Sequence, residues 1–188
     1  MAVCIVVSGP PCAGKSTLAT AIAARTGWPL LAKDDYKERV FERLGARDRD
    51  WSRRVSLLAW DLLIAEAGRL LGHGVGCVLE GNLRAPQRRA LAGLSPAPRF
   101  VEVRCAARPE LLAARFRARA GRRHPGHADL EALPELEREW AAGGDPGPAL
   151  DGAAFTWDSS AGFDAEAVLD ALDAALVGLS APASGTRG

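Results

Sequence analysis

A glycine-bounded turn joins a short apolar run to a helix-forming segment near the start of this sequence. Residues 3–8 are almost all apolar, which is typical of a strand buried on both faces of a parallel sheet. The turn reads Gly-Pro-Pro-Cys-Ala-Gly-Lys-Ser-Thr over residues 9–17, and Leu18 and Ile22 follow at helical spacing. Glycines let the backbone wrap closely around a ligand, and N–H groups at a helix start attract negative charge. The pattern therefore predicts an anion site after the first strand.

This turn fits the GxxxxGK[ST] phosphate-binding pattern in the strand-to-helix context that the pattern requires. We expect Lys15 to reach the β- and γ-phosphates of a nucleoside triphosphate, and the Ser16 hydroxyl to coordinate Mg²⁺. The sequence thus predicts a site for ATP, or less favourably GTP, with magnesium. The residues expected to contact the nucleotide here are Gly9, Pro10, Pro11, Cys12, Ala13, Gly14, Lys15, Ser16 and Thr17.

Length and composition favour one folded domain. The 188 residues carry a net charge of +1, with 48% hydrophobic and 25% charged residues, as in ordinary globular proteins. We expect a single domain over residues 1–179 and a disordered tail over 180–188, which is rich in small residues and proline. The balanced charge disfavours a general nucleic-acid binder, so nucleic acid is expected only as a possible acceptor. No signal-peptide pattern or membrane-length apolar run is visible, which predicts a cytoplasmic protein without membrane contact.

Apolar segments alternate along the chain with amphipathic ones. Strands are predicted at 3–8, 29–32, 75–79, 99–105 and 154–157, and the intervening segments have helical periodicity. Strands that alternate with helices indicate an α/β fold, in which helices cover both faces of a parallel sheet in a three-layer sandwich.

The rest of the sequence favours a small kinase among phosphate-loop proteins. No Asn-Lys-x-Asp segment is present to read guanine, and the chain leaves little room for the second subdomain of a large ATPase. A kinase that phosphorylates a hydroxyl needs a carboxylate beyond the γ-phosphate. Asp34 and Asp35 follow the second strand and so belong to the same sheet edge as the phosphate loop. Helix capping is the alternative role for this pair.

The run Lys33-Asp34-Asp35-Tyr36-Lys37 resembles the Arg-Asp-Asp-Tyr-Arg signature of phage-type polynucleotide 5′-kinase domains. The wider resemblance is to small P-loop kinases, which include zeta toxins, chloramphenicol phosphotransferase and adenylylsulfate kinase. It implies a five-stranded sheet of order 2-3-1-4-5, with Asp34 as general base and Lys37 beside the acceptor. Either Asp34 or Asp35 can serve as the base at this stage, and Asp35 is also expected to bind substrate.

A second segment carries the same resemblance at the end of the third strand. Residues 79–83 read Leu-Glu-Gly-Asn-Leu, which resembles Asp-Thr-Asn-Leu in these kinases and Glu-Gly-Asn-Phe in uncharacterised bacterial ATP-binding proteins. The resemblance implies that Glu80 holds a magnesium-bound water or the acceptor hydroxyl, and that Asn82 and Arg84 bind substrate. A solvent-facing strand end is the alternative.

Five arginines crowd residues 115–123, and Arg115 and Arg119 share one helix face. The similarity to adenylate-kinase-like enzymes implies an Arg-rich lid over 115–129 that closes on the phosphates. Arg115 and Arg119 would then act in catalysis, and Arg119 and Arg123 would bind the nucleotide. A solvated helix that pairs with the Glu-rich stretch 131–139 is the alternative. His124-Pro-Gly-His127 is expected to form a lid turn.

Taken with the resemblance, the sequence predicts a kinase that transfers the γ-phosphoryl group of ATP to a hydroxyl of a small molecule. A nucleoside-like or antibiotic acceptor would suit related enzymes. The alternatives are a polynucleotide 5′-hydroxyl kinase and a regulatory nucleotide-binding module without an acceptor. Trp51, Trp60 and Trp140 would either stack on the acceptor or pack in the core.

Overall fold

A five-stranded sheet with the order β2-β3-β1-β4-β5 lies at the centre of the computed structural model, which describes residues 2–143 and 147–180. Every neighbouring pair of strands is parallel. The strand order confirms the prediction from the family resemblance. The strands are β1 (Val3–Ser8), β2 (Leu30–Ala32), β3 (Cys77–Glu80), β4 (Arg99–Ala106) and β5 (Gly152–Asp158).

Helices connect the strands and cover both faces of the sheet. Short 3-10 turns at Pro125–His127 and Ser159–Ala161 complete the described secondary structure. No helix in the described ranges is both long and apolar enough to cross a membrane. The helices are α1 (Lys15–Thr26), α2 (Lys33–Leu44), α3 (Arg49–Gly72), α4 (Ala85–Ala92), α5 (Pro109–Arg119), α6 (Asp129–Ala141) and α7 (Glu166–Ser180).

Alternate residues of β1 build the two hydrophobic layers. Ile5 and Val7 pack against Leu18 of α1 in one layer, whereas Cys4 and Val6 pack in the other layer with Leu63 of α3. All six side chains are fully buried, so each aliphatic one stabilises the fold by about 1.5–3 kcal/mol. Because β1 is central and buried on both faces, the turn after it lies at the middle of the sheet's carboxyl edge.

Two strands begin two residues away from their predicted starts, and the remaining strand boundaries agree within one residue. The third strand begins at Cys77 rather than at residue 75, because the Val75 amide donates to the Leu70 carbonyl at 2.9 Å and completes the turn that ends α3. The last strand begins at Gly152, two residues earlier than predicted. The predicted tail over 180–188 lies outside the described residues, apart from Ser180 at the end of α7.

Candidate active site

Glycines fix both ends of the phosphate loop. Gly9 has φ +133°, and a Cβ there would lie 2.2 Å from the Cys105 carbonyl oxygen of the neighbouring strand. Gly14 has φ +86° and packs against the Trp157 ring. Any other residue would be strained at these positions and would collide with its surroundings. The two glycines of the sequence pattern therefore hold this loop tightly against β4 and β5.

Lys15 lies inside the loop, where its Nζ donates to the Pro10 carbonyl oxygen at 2.8 Å. The side chain is buried, and burial lowers its pKa from the ordinary lysine value while Glu80 opposes that shift. Phosphate oxygens would replace the Pro10 carbonyl and restore full charge compensation to this ammonium group. Ser16 and Thr17 are exposed on the first turn of α1, where hydroxyl groups can reach a bound phosphate and its metal.

Arg115 fastens the phosphate loop to the turn that follows β5. Its Nη1 donates to the Cys12 carbonyl oxygen at 3.3 Å and to Ser159 Oγ at 2.8 Å, and its Nη2 donates to the Ser159 carbonyl at 2.8 Å. Cys12 itself has φ +67°, an uncommon conformation for a residue with a side chain. Arg115 thus holds a strained loop residue in place, besides facing the cleft.

One cleft of about 390 Å³ joins the phosphate loop to most of the predicted acceptor residues. Gly9 and Pro10 instead line a neighbouring cavity from the outer side of the loop, and Ala13 is buried beneath it. The predicted site residues that line the cleft are Pro11, Cys12, Gly14, Lys15, Ser16, Thr17, Asp34, Lys37, Glu80, Asn82, Arg115, Arg119 and Arg123.

Two predicted substrate residues lie outside this cleft. Asp35 is exposed and lines an apolar groove between α2 and α3, because consecutive helical residues point in different directions. Arg84 precedes α4 and pairs with Glu139 Oε2 at 2.6 Å. These positions separate both side chains from the residues around Lys15.

Asp34 is the carboxylate that faces the phosphate loop, and two cations hold it. Lys33 Nζ donates to its Oδ1 at 2.8 Å, and Arg123 pairs with its Oδ2. Burial alone would raise the pKa of Asp34, but the charges of Lys33 and Arg123 outweigh burial and hold this pKa far below the usual range. Asp34 is therefore ionised at neutral pH and can accept a hydrogen bond from a hydroxyl.

Arg123 also connects this carboxylate to the lid segment. Its Nη1 donates to Asp129 Oδ1 at 3.2 Å, and its Nη2 lies 3.1 Å from His127 Nε2. His127 Nε2 lies 2.7 Å from Glu38 Oε1 on α2, and burial lowers the pKa of His127 to about 3 although Asp34 opposes the shift. His127 is thus a neutral contact between the 3-10 turn and α2 at neutral pH.

Lys37 and Glu80 are the buried charged groups of the acceptor side. Lys37 Nζ donates to Ser52 Oγ at 2.8 Å, and burial lowers its pKa to about 7. Burial raises the pKa of Glu80, while Lys15 opposes that shift. Both side chains are poised to change their protonation or partner when a polar ligand enters.

Some arginines of α5 face the cleft, whereas others lie on the solvated surface of the helix. Arg117 pairs with Glu137 at the surface, as expected for a solvated helix. Arg119 faces the cleft, its guanidinium 5.0 Å from the centre of the Phe116 ring and its Nε 4.0 Å from Asp129 Oδ2. Arg119 is therefore placed to meet an anion in the cleft.

The tryptophans singled out in the sequence do not line the cleft. Trp60 and Trp140 are buried in the two core layers, and Trp51 Nε1 donates to the Gly45 carbonyl at 2.9 Å. Sequence reasoning missed Lys33 and Asp129 as members of the site. The signal for Lys33 was its place in the Lys-Asp-Asp run, whereas nothing local linked Asp129 to Arg123.

The donor set suits magnesium only together with a nucleotide. Among the described residues no group of three or more His, Cys, Asp or Glu side chains is arranged to hold a metal. Mg²⁺ usually takes one or two protein oxygens and completes its shell with phosphates and water. The Ser16 hydroxyl, with Glu80 acting through a water, fits that pattern at this edge of the sheet.

A glycine-bounded phosphate loop on the central strand of a 2-3-1-4-5 parallel sheet defines a P-loop fold of the kinase-like class. The family model described as AAA domain (AAA_33) matches residues 4–141, and the chain belongs to that family. Uncharacterized proteins of Mycobacterium tuberculosis and Mycobacterium bovis are 32% identical in an alignment of 148 residues that covers 73% of this chain. The matched part spans only 30% of those relatives' length.

Solved structures agree with this assignment of the fold. The chain is similar to a candidate kinase from Chloroflexus aurantiacus, with a TM-score of 0.80, 32% identity and coverage of 93% of this chain and 98% of the other. A gluconokinase from Sinorhizobium meliloti has a TM-score of 0.55 at 22% identity, over 94% and 97% of the two chains. Shikimate kinase from Acinetobacter baumannii has a TM-score of 0.54 at 17% identity, over 97% of each chain. The last two show a shared fold.

Proposed function

We propose that this protein is a kinase that transfers the γ-phosphoryl group of ATP to a hydroxyl of a small molecule. The observation that carries the proposal is one cleft that contains both Lys15 of the phosphate loop and the ionised Asp34. A hydrolytic module needs the loop but has no need for a carboxylate and buried cations on the acceptor side. The gluconokinase and shikimate kinase of the same fold support transfer to a hydroxyl.

In the proposed reaction the acceptor hydroxyl donates a hydrogen bond to Asp34. The acceptor oxygen forms a bond to the γ-phosphorus as the bond to the β,γ-bridging oxygen breaks. The hydroxyl proton passes to Asp34, and ADP leaves with the electron pair of the broken bond. Lys15 and Arg119 stabilise the charge that develops on the transferred group. Magnesium, held with the help of Ser16, would neutralise charge on the β- and γ-phosphates.

The contact between Arg123 and Asp34 would control when Asp34 can accept a proton. With Arg123 in place, Asp34 is a weak base because its pKa is far below the usual range. If Arg123 moves to the incoming triphosphate, Asp34 loses one of its two cations and its pKa rises. Closure of the lid segment 115–129 would thus bind phosphate and activate the carboxylate in the same step.

The direct test is a screen with γ-labelled ATP and magnesium. The acceptors are nucleosides, aminoglycosides, chloramphenicol, sugars, hydroxy acids and a 5′-hydroxyl oligonucleotide, with GTP as a second donor. We expect a labelled product with at least one small acceptor, and its loss in Asp34→Asn. Phosphate release without any labelled product, at a rate that Asp34→Asn leaves unchanged, would instead indicate a hydrolytic regulatory module. Labelling of the oligonucleotide alone would favour the polynucleotide kinase.

A further inference from the structure

A second cavity of about 360 Å³ lies behind the phosphate loop at the carboxyl edge of the sheet, lined by residues of α4, α5 and α6. The Gly9-Pro10 backbone forms part of its wall, and Asn82 is the one described residue that it shares with the catalytic cleft. Leu83, Leu112 and the alanines that follow β4 supply an apolar lining. None of the residues proposed to bind phosphate from the inner face of the loop contributes to this cavity.

Three of its lining side chains carry buried N–H groups that lack a hydrogen-bond partner in the described part of the chain. They are Arg88 Nε, Arg104 Nε and Trp140 Nε1. Arg88 is 2% exposed and Trp140 is 6% exposed, so solvent reaches these side chains poorly. Leaving a buried donor unpaired costs about 1–3 kcal/mol, and such groups are rare in folded proteins. All three groups are donors, so the ligand that suits them is an acceptor.

The net charge of the side chains around the cavity also favours an anionic ligand. Glu102 accepts from both Nη atoms of Arg88, from Arg104 Nη2 at 3.1 Å and from Ser8 Oγ at 2.7 Å. One carboxylate therefore serves two guanidinium groups, which leaves one excess positive charge among the described residues of this cluster. Glu139 at the cavity rim is already paired with Arg84.

We propose that this cavity binds a small organic anion at a site distinct from the nucleotide cleft, with which it shares only Asn82 among the described residues. A carboxylate or phosphate head would accept from Arg88, Arg104 and Trp140, and an apolar body would pack on Leu83 and Leu112. Ser8 belongs to the cluster and directly precedes Gly9, so a bound anion would contact the base of the phosphate loop. The inference does not depend on the phosphoryl acceptor or on kinase activity.

The test measures binding of benzoate and of phenyl phosphate by calorimetry, with the loop side saturated by a non-hydrolysable ATP analogue and magnesium. The two probes separate carboxylate from phosphate recognition, and neutral benzyl alcohol controls for apolar binding. We expect saturable binding of at least one anion to the nucleotide-bound protein and much weaker binding of the alcohol. The absence of saturable binding by either anion, or displacement of the anion by the ATP analogue, would overturn the proposal.

Arg104→Gln and Arg89→Gln provide a matched pair of variants. Both remove one positive charge, but Arg89 is exposed on α4 beside Arg88 and does not line the cavity. We expect Arg104→Gln to weaken anion binding by about tenfold or more, as for a lost charge-assisted hydrogen bond, and Arg89→Gln to leave it unchanged. Trp140→Phe removes one donor without a change of charge and should weaken binding several-fold. Equal effects of the two glutamine variants would contradict a local site.

Discussion

Asp34 and Asp35 are neighbours in sequence, yet their side chains lie on different faces of α2. Asp34 faces the cleft between two cations, whereas Asp35 is exposed in the apolar groove beside α3. We expect Asp34→Asn to lower kcat by about 10²–10⁴-fold, the usual contribution of general acid–base catalysis, because the amide cannot take the hydroxyl proton. The measurement is γ-labelled ATP transfer to the acceptor that the screen identifies.

Asp35→Asn is the matched control for this prediction. It makes the same chemical change one residue away, where the side chain lies in the groove beside α3 and outside the cleft. We expect kcat within about twofold of the unsubstituted protein, since surface substitutions of this kind have small effects. If Asp35→Asn lost activity as Asp34→Asn does, the assignment of the base would be wrong.

Lys37 gives the site a measurable dependence of stability on pH. Burial lowers its pKa from 10.5 in the ordinary side chain to about 7 in the folded state. Between these values the unfolded chain binds more protons, so this group makes the protein more stable as the pH rises from 7 to 10. We expect Lys37→Met to be more stable than the unsubstituted protein at pH 6. The difference in free energy of unfolding between the two proteins should be at least about 1 kcal/mol larger at pH 6 than at pH 10.

Urea unfolding at both pH values measures this difference. Lys33, Asp34, Arg123 and Asp129 also act on Lys37, but they are present in both proteins, so comparing the two isolates the titration of Lys37. A stability difference that stayed constant from pH 6 to pH 10 would show that Lys37 titrates normally in the folded state.

The position of the phosphate loop in the fold could be predicted because its chemistry is local. Glycine spacing, the lysine and the hydroxyl all lie within one turn, so the sequence states their arrangement directly. The site beyond the loop is not local: Arg123 meets Asp34 across 89 positions of the chain, and Arg115 reaches Ser159 across 44. No sequence period relates such pairs, which is why the partners of the arginines emerge only from the fold.

Hydrophobic periodicity predicted the helices and strands well wherever the sequence pattern was strong. The buried runs of β1 and β4 were located almost to the residue. The start of β3 was misplaced because Val75 has the apolar character of a strand residue, while its backbone amide belongs to the turn after α3. Such a boundary depends on a hydrogen bond that side-chain pattern does not encode.

Helix α5 carries two arginines with different structural roles. It carries Arg115, which fastens the phosphate loop, and Arg117, which pairs with Glu137 at the surface. We expect Arg115→Ala to weaken ATP binding by about tenfold or more, because the loop loses charge-assisted hydrogen bonds of about 1.5–3 kcal/mol each. Titration with a fluorescent ATP analogue measures the dissociation constant.

Arg117→Ala removes a charge of the same sign from the same helix, two residues away. Its ion pair is exposed, and such pairs contribute little to stability or to shape. ATP affinity is therefore expected to stay within about twofold. Equal losses in the two variants would mean that α5 acts through its overall positive charge rather than through the fastening of the loop.

A buried ion pair connects a covering helix to the central sheet beneath the active site. Arg88 of α4 pairs with Glu102 of β4, and Ser8 of β1 donates to the same carboxylate. Both charged side chains are 2% exposed, so each depends on the other for compensation. Sequence pattern gives no hint of this pair, since an arginine in a short helix and a glutamate in a strand are ordinarily assigned to the surface.

Substitutions at Arg88 and Glu102 test the cost of an unpaired buried charge. We expect Glu102→Gln to destabilise the fold by about 3–5 kcal/mol, because Arg88 keeps its charge and loses its carboxylate. The double variant Arg88→Met with Glu102→Leu should be less destabilised than Glu102→Gln, since apolar side chains of similar size need no partner there. Urea unfolding at pH 7 gives each free energy.

The exposed pair Arg39 and Glu42 on α2 is the control for these variants, and its double substitution should change stability by less than about 1 kcal/mol. If Glu102→Gln proved as mild as this surface control, water or a bound anion would have to be compensating Arg88. Repeating the measurement with benzoate and with phenyl phosphate separates those cases, because an anion that binds the folded state raises its stability with the logarithm of the anion concentration once the site is saturated. The same unfolding measurements therefore report both on the buried ion pair and on the cavity beside it.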